Sequence, residues 1–178
     1  RKTCSRPDPA RARPYDRPAS DHAIVHISPA RFASGGDLRL TCVSMIEQLF
    51  DHAAISQGIT VRVAASFLPE QSQVSDGHWF WAYHIRIENN GEQSAQLLTR
   101  HWRITDAAGR VSLVDGEGVV GEKPLLKPGE SHDYVSGCPL ETPHGTMEGY
   151  YGFRREDGTI FEAAIPFFPL SAPATAQR

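Results

Sequence analysis

Residues Gly116-Glu117-Gly118-Val119-Val120-Gly121 have the spacing G-x-G-x-x-G. In dinucleotide-binding folds, glycines so placed let a strand-to-helix turn approach a pyrophosphate at a helix N-terminus. Here Lys123-Pro124 and a second turn follow where that helix would begin, and Glu117 and Glu122 would repel a phosphate. The chemistry-free use of Gly116, Gly118 and Gly121 is a strand-to-turn transition that needs their backbone angles or a bulge. An exposed glycine loop also suits docking of a protein partner. Binding of a nucleotide is the competing use.

Arg100 falls on the same strand face as Leu98, Trp102 and Ile104 if that strand is regular. A guanidinium on an inward face needs a partner, because its charge is not buried alone. It is expected to be either an anion-binding group or half of a structural contact. Eight histidines invite a metal reading. His78 and His84 lie six residues apart, roughly 20 Å along a strand, too far to share an ion. His84 and His101 would face each other if a hairpin at Asn90-Gly91 were centred slightly late. Two imidazoles would suit cobalt or zinc, whereas magnesium prefers oxygen ligands. Exposed, unliganded histidine is the ordinary alternative. Cys138, in Ser-Gly-Cys-Pro, has no evident activating base and reads as a packed thiol. The sequence holds no G-x-S-x-G, no H-E-x-x-H and no P-loop lysine. It gives no reason to expect an enzyme, and none to expect a cofactor.

These residues belong to elements with a clear period. From Ile59 the chain alternates: Ile59, Val61 and Val63 against Thr60, Arg62 and Ala64. Trp79, Trp81, Tyr83, Ile85 and Ile87 then share one face, with His84, Arg86 and Glu88 on the other. Alternation rich in β-branched and aromatic residues marks half-buried strands. Asn89-Asn90-Gly91, Asp106-Ala107-Ala108-Gly109 and Glu156-Asp157-Gly158 are turn signals. Lys127-Pro128-Gly129-Glu130 suits a type II turn. The pattern predicts an all-β, antiparallel sandwich of about seven strands, of immunoglobulin or fibronectin type III kind, over residues 59–173. Before it, Ile46, Leu49, Phe50 and Ala53 are spaced for a short helix or linker over 45–58, stopped by Gly58.

Residues 1–44 are rich in Arg, Pro, Ser and Ala with little periodicity, which predicts a disordered extension. Alternatively, Met45 is the natural start and these residues are read from upstream of it. They hold 8 Lys and Arg against 4 Asp and Glu, whereas residues 45–178 hold 10 against 17. An acidic main domain argues against nucleic acid as its partner. No apolar stretch approaches the about 18–20 residues needed to span a bilayer, so no membrane insertion is expected. Three cysteines without C-x-x-C spacing suit a reducing, cytoplasmic setting.

Several segments together resemble the ApaG family: Gln96–Asp106 (QLLTRHWRITD), Val114–Glu130 (VDGEGVVGEKPLLKPGE), Tyr134–Gly137 (YVSG) and Gly145–Phe153 (GTMEGYYGF). Pro69–Ser72 and Phe167–Leu170 agree as well, so the resemblance covers about Ile59 to Pro173. It implies a fibronectin type III-like sandwich and an association with cobalt resistance and magnesium efflux in bacteria. It also implies genes beside one for a diadenosine tetraphosphate hydrolase, and eukaryotic relatives that serve as protein-binding modules in F-box proteins and in a DNA-polymerase-interacting protein. It implies no reaction. The residues before Ile59 depart from the short bacterial pattern, whose usual length a start at Met45 would restore. Two functions follow as expectations: a protein-interaction module, or a binder of a nucleotide or divalent cation.

Overall fold

The computed structural model describes residues 49–177. The expected disordered extension over 1–44 and the start at Met45 lie outside them. Among the described residues nine strands form: β1 (His52–Ser56), β2 (Ile59–Phe67), β3 (Trp79–Asn89), β4 (Ala95–Asp106), β5 (Val111–Glu117), β6 (Leu125–Leu126), β7 (Ser131–Leu140), β8 (His144–Arg155) and β9 (Ile160–Ser171). Two antiparallel sheets result, one in the order β1-β2-β3-β7 and one in the order β5-β4-β8-β9, with β6 added to β4. This is the sandwich that the alternation predicts, with two strands more than about seven. The additions are β6, only two residues long, and β1.

β1 replaces the later part of the short helix or linker expected over 45–58, whose residues 45–48 lie outside the described ones. His52–Ser56 instead pairs with β2, Ser56 standing opposite Ile59. Gly58, at φ 86°, is half of a tight turn with Gln57 at φ 49°, and does not stop a helix. Two positive φ values in a two-residue loop match the twist of antiparallel strands. β1 also packs against β9, so contact with the second sheet overrides the weak helical spacing.

The inner faces follow the period-two reading. Val61, Val63, Ile85 and Ile87 from one sheet meet Leu97, Met147, Phe153 and Phe168 from the other, all fully buried. Trp102 makes edge contacts with Tyr151 and Phe168. Chain reversal at Asn89–Ser94 carries β4 away from β3 into the opposite sheet. His84 and His101, expected to face each other, therefore stand on the two outer faces of the sandwich, His84 opposite Val135 of β7 and His101 opposite Tyr150 of β8. A β3–β4 hairpin would have left both sheets with an apolar face uncovered; the crossover covers both.

Candidate functional site

The site is built on β4, and β4 is not regular. Its pairing with β8 shifts between Leu97 and Thr99, which inserts Leu98 as a bulge. Before the bulge, Ala95 and Leu97 point inward; after it, Arg100 and Trp102 do. Leu97, not Leu98 as expected, is the core residue, while Arg100 keeps its inward position beside Trp102. A bulge changes the parity of a strand, and a regular alternation cannot show it.

Arg100 stands between Gly116 of β5 and Tyr151 of β8. Its Nη1 donates to the carbonyl oxygens of Glu117 and Gly118, each at 2.9 Å. A Cβ on Gly116 would lie 2.8 Å from Arg100 Cζ, so that glycine makes room for the guanidinium. Gly118 has φ 57°, and a Cβ there would come 2.1 Å from the Glu122 carbonyl oxygen. Its amide donates to Leu98, the bulged residue, at 2.8 Å. Val119 and Glu122 then exchange both backbone hydrogen bonds, at 2.8 and 2.9 Å, around a two-residue tip of Val120 and Gly121. Both tip residues have positive φ, 53° and 78°. Valine at such an angle is strained, and packing of its side chain against the core holds it there. The glycine motif is thus a tight hairpin tip. Its amides at 118, 119 and 122 donate within the loop or to β4, and the carbonyls of 117 and 118 accept from Arg100.

Beneath Arg100 lies a cluster of phenols. The Tyr134 and Tyr151 hydroxyls hydrogen-bond each other, and both rings are buried. Burial pushes the Tyr83 hydroxyl up to about 12, and raises Tyr134 and Tyr151 well above the ordinary tyrosine range. The positive charge of Arg100 pulls all three the other way. Burial also pushes the Cys138 thiol up to about 12, consistent with a packed, protonated cysteine.

His101 faces away from this cluster, since neighbours on a strand alternate faces. The structure therefore brings Arg100 together with Gly116 and Gly118, leaves Gly121 at the tip, and separates His101 from them all. His101 Nδ1 lies 2.7 Å from Asp115 Oδ1, and Nε2 lies 3.2 Å from Thr99 Oγ1. A carboxylate only accepts, so Nδ1 carries the hydrogen shared with Asp115, and in the ring's neutral form Nε2 accepts from the threonine hydroxyl. The ring also stacks on Tyr150 at 4.4 Å between centroids. The order carboxylate–imidazole–hydroxyl is that of a nucleophile relay. Here it lies on an open sheet face with the Asp115 side chain 70% exposed, where water competes for each bond. Thr99, Asp115 and Tyr150 escaped the sequence reading because two of them come from neighbouring strands; the Thr99-x-His101 spacing was the one local signal. His84 pairs with Asp133 at 3.0 Å on the other outer face. Among the described residues, no three His, Cys, Asp or Glu side chains converge on one point. None of the described helices is long and apolar enough to cross a membrane.

A two-sheet antiparallel sandwich with a braced hairpin tip and an open polar sheet face defines a domain of the immunoglobulin-like architectural class. The ApaG domain model matches residues 69–155. Protein ApaG of Rhodospirillum centenum is 49% identical over 127 residues, which cover 71% of this chain and 98% of that protein. Protein ApaG of Stenotrophomonas maltophilia is 53% identical over 117 residues, covering 66% and 92%. A crystal structure described as the putative ApaA protein of Bordetella pertussis superposes with a TM-score of 0.64 at 49% identity, covering 65% of this chain and 94% of that one. The chain belongs to the ApaG family.

Proposed function

We infer that this domain is a non-enzymatic, cytoplasmic protein-interaction module linked to divalent cation (Co²⁺/Mg²⁺) homeostasis. The observation that carries the interaction reading is the internal use of the glycine loop's polar groups. A phosphate cradle needs several amides pointing outward together. In this loop, three amides have backbone acceptors, and the arginine that would meet an anion holds two carbonyls instead. Glu117, paired with Lys123 at 2.8 Å, and Glu122 add negative charge beside it. What remains is a braced hairpin tip that exposes Gly121 and Glu122. The link to cobalt and magnesium rests on family membership alone.

The test has two arms. A photo-crosslinking residue at Glu122, exposed on the tip, should capture discrete protein partners in bacterial cells. Titration of the labelled protein with ATP or a dinucleoside polyphosphate should leave the Gly116–Gly121 amides unmoved at millimolar concentration. Saturating shifts there, weakened by salt as expected for an anion, would replace this reading with nucleotide binding. Saturating shifts with Co²⁺ or Mg²⁺ would replace it with direct cation binding.

A further inference from the structure

At the end of the five-stranded sheet, four residues from four strands stand side by side on its outer face. Leu125 of β6 is opposite Gln96 of β4, Gln96 is opposite Arg154 of β8, and Arg154 is opposite Ile160 of β9. Neighbouring strands lie about 4.8 Å apart, so an amide and a guanidinium sit at the centre of the row with an aliphatic side chain at each end. Both aliphatic groups are open to solvent, Leu125 53% and Ile160 63% exposed. A cleft of about 380 Å³ opens beside the row, with Arg155, Glu156 and Gly158 completing its wall.

The arginine in this row differs from most others among the described residues. Arg62, Arg86, Arg103 and Arg110 each reach a carboxylate within 3.1 Å. Arg154 has no ion pair among the described residues. Its Nη2 donates to Gln96 Oε1 at 2.9 Å, which turns the guanidinium toward Gln96. Nε and Nη1 have no acceptor among the described residues. Arg155 is tied down separately, donating to the Gln57 carbonyl at 2.9 Å and lying 4.4 Å over the Phe161 ring. Nη2 keeps a second hydrogen, which pairs with that of Nε or Nη1 on the side away from Gln96, so the row offers a cation with one two-hydrogen fork left over, between two exposed aliphatic side chains. A planar donor fork matches a carboxylate.

We propose that this row is a docking site for the C-terminal residue of a partner polypeptide, the Arg154 fork holding its carboxylate while Leu125 or Ile160 receives its apolar side chain. A C-terminal apolar residue carries both groups on one Cα, which suits Arg154 and Ile160, one strand apart, and also Arg154 and Leu125, two strands apart with the guanidinium reaching toward Gln96 between them. An internal glutamate places its carboxylate at the end of a polar stem and has no apolar group of its own to add. The proposal rests on the interaction-module reading, but it uses a different surface from the hairpin tip.

The test is a titration of the full labelled chain with four probes: acetyl-Gly-Leu with a free carboxylate, acetyl-Gly-Leu-amide, acetyl-Glu-amide and sodium phosphate. Saturating shifts of the Gln96, Leu125 and Gly158 amides and of Arg154 Nε are expected with the first probe alone. Arg154→Gln should weaken that binding at least tenfold with an unchanged melting temperature, and Leu125→Ser several-fold. No saturation with acetyl-Gly-Leu would overturn the proposal. Equal shifts from the amide would reduce the site to apolar contact, and equal shifts from phosphate or acetyl-Glu-amide to a general anion site; either also overturns it. A failure here leaves crosslinking at Glu122 unaffected, and nucleotide shifts at Gly116–Gly121 would remove the tip reading without touching this row.

Discussion

Arg100 and Arg154 lie in the same sheet, on adjacent strands, and neither meets a carboxylate among the described residues, yet they have opposite fates. Arg100 is turned inward, sits over Gly116 and gives its Nη1 hydrogens to two backbone carbonyls. It serves as a brace for the hairpin tip. Arg154 is turned outward and has one neutral side-chain partner. The difference comes from the face each residue presents: Arg100 shares the inward face of Trp102 and lies opposite Tyr151, whereas Arg154 is the outward neighbour of the buried Phe153. A guanidinium near a glycine-rich motif is therefore no guide to anion binding until its face and its acceptors are known.

The sharpest way to break this comparison is to test how much stability the inner face holds. Trp102→Ala removes a ring packed on Tyr83, Tyr151 and Phe168, and should destabilise the domain by about 3–5 kcal/mol, read from denaturant unfolding. Gly118→Ala should cost about 2–4 kcal/mol, combining a positive φ with a collision against the Glu122 carbonyl. A near-neutral result would mean that the tip is pliable and not braced. Arg100→Ala leaves the part-buried Gly118 carbonyl and the exposed Glu117 carbonyl without this donor and should cost about 1–3 kcal/mol. Arg154→Ala, by contrast, should change stability by less than about 0.5 kcal/mol. Equal costs for the two arginines, measured by the same unfolding curve, would erase the distinction between brace and open donor.

The smallest effect is expected at Asp157, in the β8–β9 turn that follows Arg154. Its carboxylate accepts from the Thr159 amide at 2.8 Å, and that bond holds its pKa below the ordinary value. A carboxyl depressed in the folded state contributes stability above its unfolded pKa and loses it as the pH falls through the folded one. Asp157→Asn should therefore lower the melting temperature slightly at neutral pH, with the difference vanishing in acid. A gap that persists at low pH would assign the effect to the turn's shape and not to charge.

Much of the architecture was legible in the chain. The alternation of Trp81, Tyr83, Ile85 and Ile87 against His84, Arg86 and Glu88 is a local pattern, and local sterics and burial enforce it wherever the strand goes. The turn at Pro128-Gly129 was equally readable, with Gly129 at φ 80° and Glu130 donating back to Lys127 at 2.9 Å. The segment around His52–Ser56 misled because its few apolar residues fit a helix or a strand alike, and only pairing with β2 and packing on β9 decided between them.

The candidate site depended far more on the assembled molecule. The sequence by itself determined the family motifs, the inward set of most strands and the presence of glycines where the chain must turn sharply. Tertiary structure alone decided that Leu98 bulges, that Arg100 braces a loop it does not neighbour in sequence, that His84 and His101 lie on opposite faces, and that Leu125, Gln96, Arg154 and Ile160 form one row. The physical reason is the same in each case: a side chain's period along its own strand is set locally, but its partners are fixed by register across strands that are distant in the chain.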